Sequence, residues 1–260
     1  MKTVIVSLSP RKKFSASMYY SKVLKFFINE GEVSIINLKT ESQYNELKNQ
    51  LHEIDNLVIV TPVYVDTIPS TALEILVKIE NFVKDKDIRL NVYGMTNCGF
   101  YEGEQNELAQ RTIRLWSDKC GFVYKGGIGI GAGVMVAFTR ILPIVGIVLE
   151  LLTLSILMVI GAIKGELQIN DVFDNYFPYN LLIQTALYLM WNMGLFINGY
   201  KLAKNIESLG ESPLKYTTIW FCPRALFVII ASIYWVIASA IWYRGKFWRL
   251  HKMPKKKLIK

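Results

Sequence analysis

TVIVSLSPRKKFSAS, residues 3–17, decides how the rest of the chain is read. Thr3-Val4-Ile5-Val6 is a β-branched run with the composition of a buried strand. Ser7, Ser9, Pro10, Arg11, Lys12, Lys13, Ser15 and Ser17 follow at once, and a helical pattern then begins with Met18, Tyr19, Val23, Leu24 and Phe27. Strand, hydroxyl-rich turn and helix together aim free backbone N–H groups and hydroxyls at an anion. The helix start adds roughly half a positive charge, and Arg11 can add a bidentate contact. The stretch reads as a phosphate cradle, or else as an ordinary strand-to-helix turn with an N-capping serine. Neither Gly-Lys-Ser/Thr nor Gly-x-Gly-x-x-Gly is present, so it is neither a nucleoside-triphosphate loop nor the dinucleotide fingerprint.

Working outward, helix and strand patterns alternate. A helix is expected over about 16–30, ended by Gly31, then a strand over 33–38 and a polar helix over 41–51. Residues 55–60 (DNLVIV) form a strand with no polar alternation, the mark of burial on both faces and hence of a parallel sheet covered by helices. The loop TPVYVDTIPS, 61–70, leaves that strand where open α/β sheets bind ligands. Two prolines fix its shape, and Tyr64 offers a flat ring with a polar tip. A helix over 70–83 is expected to turn Leu73, Leu76, Val77 and Ile79 or Phe82 inward. A strand over 89–95 opens into Asn97-Cys98-Gly99-Phe100, and a helix over 105–119 carries Leu108, Ile113, Leu115 and Trp116 as core. The fifth strand, 122–130, runs into glycines at 126, 127, 129, 131 and 133. Alternate glycines weaken a strand unless another backbone or a flat ligand must come close. In a doubly wound order 2-1-3-4-5, the loops after strands one, three and four converge on one crevice. One suits a phosphate and two suit a flat ring, which describes a site for FMN.

These residues resemble the flavodoxin-like superfamily, in particular its NAD(P)H-dependent FMN reductase and multimeric-flavodoxin branch. The resemblance rests on Ser9-Pro10-Arg11 with Ser15 and Ser17, on Pro62-Val63-Tyr64 with Pro69, on Asn97-Cys98-Gly99-Phe100, and on the glycine-rich stretch 127–133. It covers residues 1 to about 135. It implies a five-stranded parallel sheet, non-covalent FMN, and reduction by a nicotinamide nucleotide. Ser9, Arg11, Ser15 and Ser17 would hold the flavin phosphate. Pro62, Val63 and Tyr64 would line one side of the ring, and Asn97, Gly99 and Phe100 the other. Lys13, Phe14 and Ala16 depart from the Asn or Gly usual near the tip of the phosphate loop. No catalytic side chain is expected, because the cofactor does the chemistry. Cys98 reads as a small buried residue rather than a redox group.

The chain of 260 residues is 52% hydrophobic and carries a net charge of +9. Residues 1–138 have 16 basic and 15 acidic residues, whereas 139–260 have 14 and 6. The excess therefore lies with the long apolar runs, which makes a membrane and not nucleic acid the expected partner. Three cysteines and two histidines, with no metal-ligand spacing, offer no zinc or iron–sulfur site and fit a reducing compartment. No signal peptide is visible.

The division expected is a flavin domain, 1–138, and a hydrophobic helical region with a basic tail, 139–260. Residues 141–163 hold one charge, Glu150, and either span a bilayer or pack as the fifth helix of the fold. Residues 167–178 read as a connector and 179–207 as an interfacial or packed helix, and 210–213 as a break. Residues 225–243 are uncharged, flanked by Trp220 and Trp242, and followed by a wholly basic tail from Arg244 to Lys260. Two spans would leave the flavin domain and the tail both cytoplasmic. The function expected is an FMN oxidoreductase at the membrane, passing electrons from NAD(P)H to a small acceptor such as a quinone, with a homodimer as one state. The alternatives are a flavodoxin-type electron carrier and a flavin-free interaction module.

Overall fold

The computed structural model describes residues 1–11, 15–133, 135–136, 146–148, 151–153, 155–156, 159, 163, 169–219 and 223–242, without the side chains of 169–181, 234 and 237–242. Lys13, Phe14, Trp220, Tyr243, the basic tail and most of the expected span 141–163 lie outside the described residues.

Strands and helices alternate as expected through the first half: β1 (Lys2–Ser7), α1 (Ala16–Phe27), β2 (Glu32–Asn37), α2 (Glu41–Gln50), β3 (Asn56–Pro62), α3 (Ser70–Val83), β4 (Asn91–Asn97), a short 3-10 turn (Gly103–Asn106), α4 (Glu107–Lys119) and β5 (Val123–Gly131). Then come α5 (Ile169–Glu207), β6 (Ser212–Thr218) and α6 (Arg224–Trp242). The sheet order is β2-β1-β3-β4-β5-β6, and every pairing is parallel. β3 is buried at all seven positions, the two-sided burial that its unbroken apolar run requires. Val4, Val6, Leu57 and Ile59 face a core shared with Leu47, Leu76, Ile113 and Trp116, so α2, α3 and α4 cover that face. The opposite face carries α1 and α5: Tyr93 Oη donates to the carbonyl of Asn205 on α5.

Four expectations are corrected. The sheet has six strands, not five. β6 sits at an edge with one neighbour, exposes Pro213, Leu214 and Lys215, and so lacks the apolar run that marks the central strands. The stretch 167–178 is no connector from Ile169 onward, since α5 begins there and continues through Pro178; Asp171 and Asp174 favour a helix start. Leu73 and Val77 are exposed, because α3 buries the narrower stripe Ala72, Leu76, Ile79 and Val83. Leu108 and Leu115 are exposed likewise. Trp116 fixes the rotation of α4 by donating from Nε1 to the Leu76 carbonyl at 2.8 Å.

Three of the four glycines of β5 answer to other backbone, and the fourth, Gly129, to the side chains of Asn106 and Tyr216. A Cβ on Gly126 would lie 1.7 Å from the Ser212 carbonyl oxygen of β6, on Gly127 1.9 Å from that of Gly94, and on Gly131 2.2 Å from that of Tyr101. Gly94 in turn makes room for Gln110, whose buried amide donates to Thr96 Oγ1 and the Ile128 carbonyl.

Two compact units result, Met1–Phe221 and Cys222–Lys260. The first takes in α5 and β6, well past residue 138. The second contains α6, whose Leu226, Val228, Ile229, Ile233, Trp235 and Val236 are all about half exposed. Among the described residues no helix is long and apolar enough to cross a membrane.

Gly127→Ala is expected to lower stability by about 1–3 kcal/mol, since the methyl meets rigid backbone. Gly199→Ala on α5, whose Cβ would find atoms no closer than 3.7 Å, should be neutral or slightly stabilising. Urea unfolding midpoints of the two variants check this contrast.

Candidate functional site

At the carboxyl ends of β1, β3 and β4 a cavity of about 380 Å³ is lined by Ser9, Arg11, Ala16, Ser17, Pro62, Val63, Tyr64, Val65, Asn97, Cys98, Gly99 and Gly133. That volume lies within the range of small-molecule sites, roughly 300–1,000 Å³. Eight of the ten residues singled out from sequence are in its wall. Ser15 is not: its hydroxyl caps α1, accepting from Met18 N at 3.1 Å. Phe100 is not either, being 62% exposed beside the mouth. Ala16 and Val65 are wall residues outside the residues expected to hold the ligand, and Gly133, the last glycine of the motif 127–133, lines the wall as well.

Backbone and one side chain lace the three loops together. Val63 N donates to the Asn97 carbonyl at 2.7 Å, Cys98 N to the Ile130 carbonyl at 3.0 Å, and Gly133 N to the Cys98 carbonyl at 2.8 Å. The buried Asn97 amide donates to Ser17 Oγ at 3.0 Å and to the Thr61 carbonyl at 3.2 Å, joining the ends of β3 and β4 to the start of α1. Its nitrogen is thus committed to closing the rim.

One end of the cavity is built for an anion. In the first turn of α1, Met18 N–H is taken by Ser15 Oγ and Tyr19 N–H by the Ser15 carbonyl. The N–H groups of Ala16 and Ser17 precede these and have no acceptor within the helix, and both residues are in the wall. The Ser9 and Ser17 hydroxyls and the exposed Arg11 complete that end; Lys39 Nζ holds the loop by donating to the Arg11 carbonyl.

The other end is a tight turn. Tyr64 and Thr67 exchange backbone hydrogen bonds, Tyr64 N to the Thr67 carbonyl at 2.7 Å and the reverse at 3.4 Å. Between them Val65 and Asp66 hold φ of 50° and 66°. Positive φ at both central residues is the reversed hairpin turn that ordinarily calls for Asn-Gly. A β-branched residue there is strained, and such strain gathers at ligand sites. Val65 is 94% exposed at the mouth. No motif announces this turn, because Val-Asp is not turn chemistry.

No family model matches the chain, and no curated protein does. Among solved structures, the Trp repressor binding protein of Bacillus subtilis aligns at 10% identity and a TM-score of 0.40, over 50% of this chain and 83% of that one. An NADPH-quinone reductase from P. pentosaceus aligns at 14% and 0.40, over 51% and 86%. The flavoenzyme NAD(P)H:(acceptor) oxidoreductase of Paracoccus denitrificans aligns at 15% and 0.38, over 47% and 74%. The assignment of the fold rests on the chain itself: strands one to five in the order 2-1-3-4-5, α1 and α5 on one face, and α2, α3 and α4 on the other. The fold is flavodoxin-like. A sixth parallel strand extends it beyond β5.

Cys98 is inert by environment. Burial pushes its thiol from 9.0 up to about 11, partly offset by hydrogen bonds to the sulfur from the Phe100 backbone and from Asn106 Nδ2. In a Cys120→Ala, Cys222→Ala background, iodoacetamide at pH 8 should alkylate the folded protein about a hundredfold more slowly than the urea-unfolded chain, in proportion to its smaller thiolate fraction. Equal rates would mean that the thiol is accessible and its ionisation unshifted by burial.

Proposed function

We propose that the chain is an FMN-dependent oxidoreductase that takes electrons from NAD(P)H and passes them to a small acceptor such as a quinone. The observation that carries this reading is one cavity closed by three loops, with hydroxyls, helix N–H groups and a guanidinium at one end and an aromatic lip at the other. The residues fit the group. Ser9, Ser17, the N–H groups of Ala16 and Ser17, and Arg11 would hold the phosphate. Ser15 would act through the cap that fixes the start of α1. Pro62, Val63 and Tyr64 would flank one side of the ring and Gly99 the other, with Asn97 setting the distance between the two loops and Phe100 standing at the mouth.

When bound, the flavin supplies the two-electron chemistry. The protein's share is orientation and exclusion of water: Tyr64 and Val65 form an apolar lip, and the backbone laced between Val63, Asn97 and Cys98 keeps the slot from widening. No side chain need take or give a proton at a fixed atom for hydride transfer.

Membrane attachment belongs to the same proposal. It is supported by the uncharged stretch 225–243 with its basic tail, and by the excess of positive charge after residue 138. The flavin domain would then face the cytoplasm, where nicotinamide nucleotides are.

Purified full-length protein in detergent should take up FMN, with flavin absorbance in the protein fraction and oxidation of NADH or NADPH in the presence of a short-chain quinone. Arg11→Ala should weaken FMN binding roughly tenfold, the worth of one exposed charge-assisted contact. A chain that takes up no FMN in a fluorescence titration would end the reading. Flavin uptake without nucleotide oxidation would favour the electron carrier.

A further inference from the structure

The turn at the mouth of the cavity is forced on residues that do not favour it. Before it, Val63 N donates to the Asn97 carbonyl; after it, Ile68 is buried in the core just ahead of Pro69 and α3. The chain is pinned on both sides and must reverse between Tyr64 and Thr67, whose backbones exchange two hydrogen bonds. Val65 and Asp66 are left to make the reversal, and both take positive φ. The surroundings dictate this backbone but not the side chains on it. Asparagine or glycine would adopt it at little cost, and aspartate tolerates it. A β-branched residue crowds its own backbone there.

Packing inside the protein does not offset that cost, because the Val65 isopropyl group is almost wholly exposed and covers no core. It nevertheless stands in the cavity wall beside the half-exposed Tyr64 ring. A molecule at the mouth therefore meets two apolar side chains that are otherwise in water. Strained residues of this kind gather at ligand clamps, and a lip on a concave wall suits a small molecule. The charges narrow its class. Among the described residues of the wall only Arg11 is charged, and it stands at the far end with the helix N–H groups. At the lip the adjacent residue is Asp66, exposed. An anionic group placed there has a like charge beside it and no cation to pair with. An uncharged apolar molecule instead takes the isopropyl group out of water.

We propose that Val65 and Asp66 are the selectivity element of the cavity: Val65 holds an uncharged apolar molecule at the lip, against the Tyr64 ring, and Asp66 disfavours an anionic group placed there. The valine is strained in the free protein and is compensated by this contact. In the flavin reading the molecule so held is the electron acceptor. That clause rests on the flavin reading; the selectivity of the lip does not.

The test uses the full chain in detergent, loaded with FMN where it takes FMN up and as the apoprotein where it does not. The probes are naphthol and naphthalene sulfonate, which share a ring system and differ in charge. The amide shifts of Tyr64 and Thr67 read each titration at the lip itself. Naphthol should bind the wild-type chain more tightly than the sulfonate. Val65→Asn, whose new side chain suits the turn, should raise the urea midpoint and weaken naphthol about fivefold, the worth of part of one valine side chain. Asp66→Asn should leave naphthol unchanged and strengthen the sulfonate about threefold. A wild-type chain that binds both probes alike overturns the proposal. So does a Val65→Asn chain whose urea midpoint does not rise or whose naphthol affinity is unmoved, and a sulfonate affinity unmoved by Asp66→Asn overturns the part given to Asp66. The probes are read with or without flavin, so a chain that takes up no FMN yet gives these results loses the cofactor reading and keeps this one. A chain that loads FMN and fails them loses only the selectivity of the lip.

Discussion

Two hydrogen bonds from the Asn97 amide hold this molecule's rim together. One reaches Ser17 on α1 and the other the Thr61 carbonyl at the end of β3, from a side chain that is itself on β4. Three loops separated by dozens of residues meet at that nitrogen. They can meet there because the sheet is parallel: each strand must be followed by a crossover helix, so the turns that begin α1, α3 and α4 all emerge on one side. The hydroxyl- and N–H-lined end and the aromatic end of the cavity are consequences of the same geometry, one at the start of a helix and the other at a turn held by Tyr64 and Thr67.

The features legible in the sequence are those with local causes. Continuous apolar strands such as 55–60 announce two-sided burial, and from it the parallel sheet and the side on which ligands sit. The hydroxyls and prolines after β1 and β3 announce turns of fixed shape. What the residues could not separate was the purpose of one residue from that of its neighbour. Ser15 and Ser17 look alike in sequence, yet one caps a helix and the other stands in the cavity wall. Asn97 reads as a ring contact; it stands in the cavity wall, and its amide also braces the rim.

The features not legible are those set by distant partners. β6 is an edge strand with a proline near its start and a lysine at its centre, so it lacks the pattern of its neighbours, and only the glycines of β5 record its presence. Those glycines read equally as room for a flat ligand or for another backbone. The distances to Ser212, Gly94 and Tyr101 decide for backbone. The Val65–Asp66 turn had no signal at all, because its conformation is imposed against the preference of its residues. The sequence reads as two pieces divided at Pro178, because a proline inside a helix removes a hydrogen bond, yet α5 runs through it.

The central claim is that this rim holds a phosphorylated flavin, and amide NMR of the full chain in detergent during FMN addition tests it most directly. The account predicts shifts at Ser9, Ala16, Ser17, Val63, Tyr64 and Gly99, with riboflavin sparing the first three. It predicts none at Gly126 or Ser212 on the opposite rim. Shifts confined to that far rim, or an unmoved spectrum at saturating FMN, would contradict it.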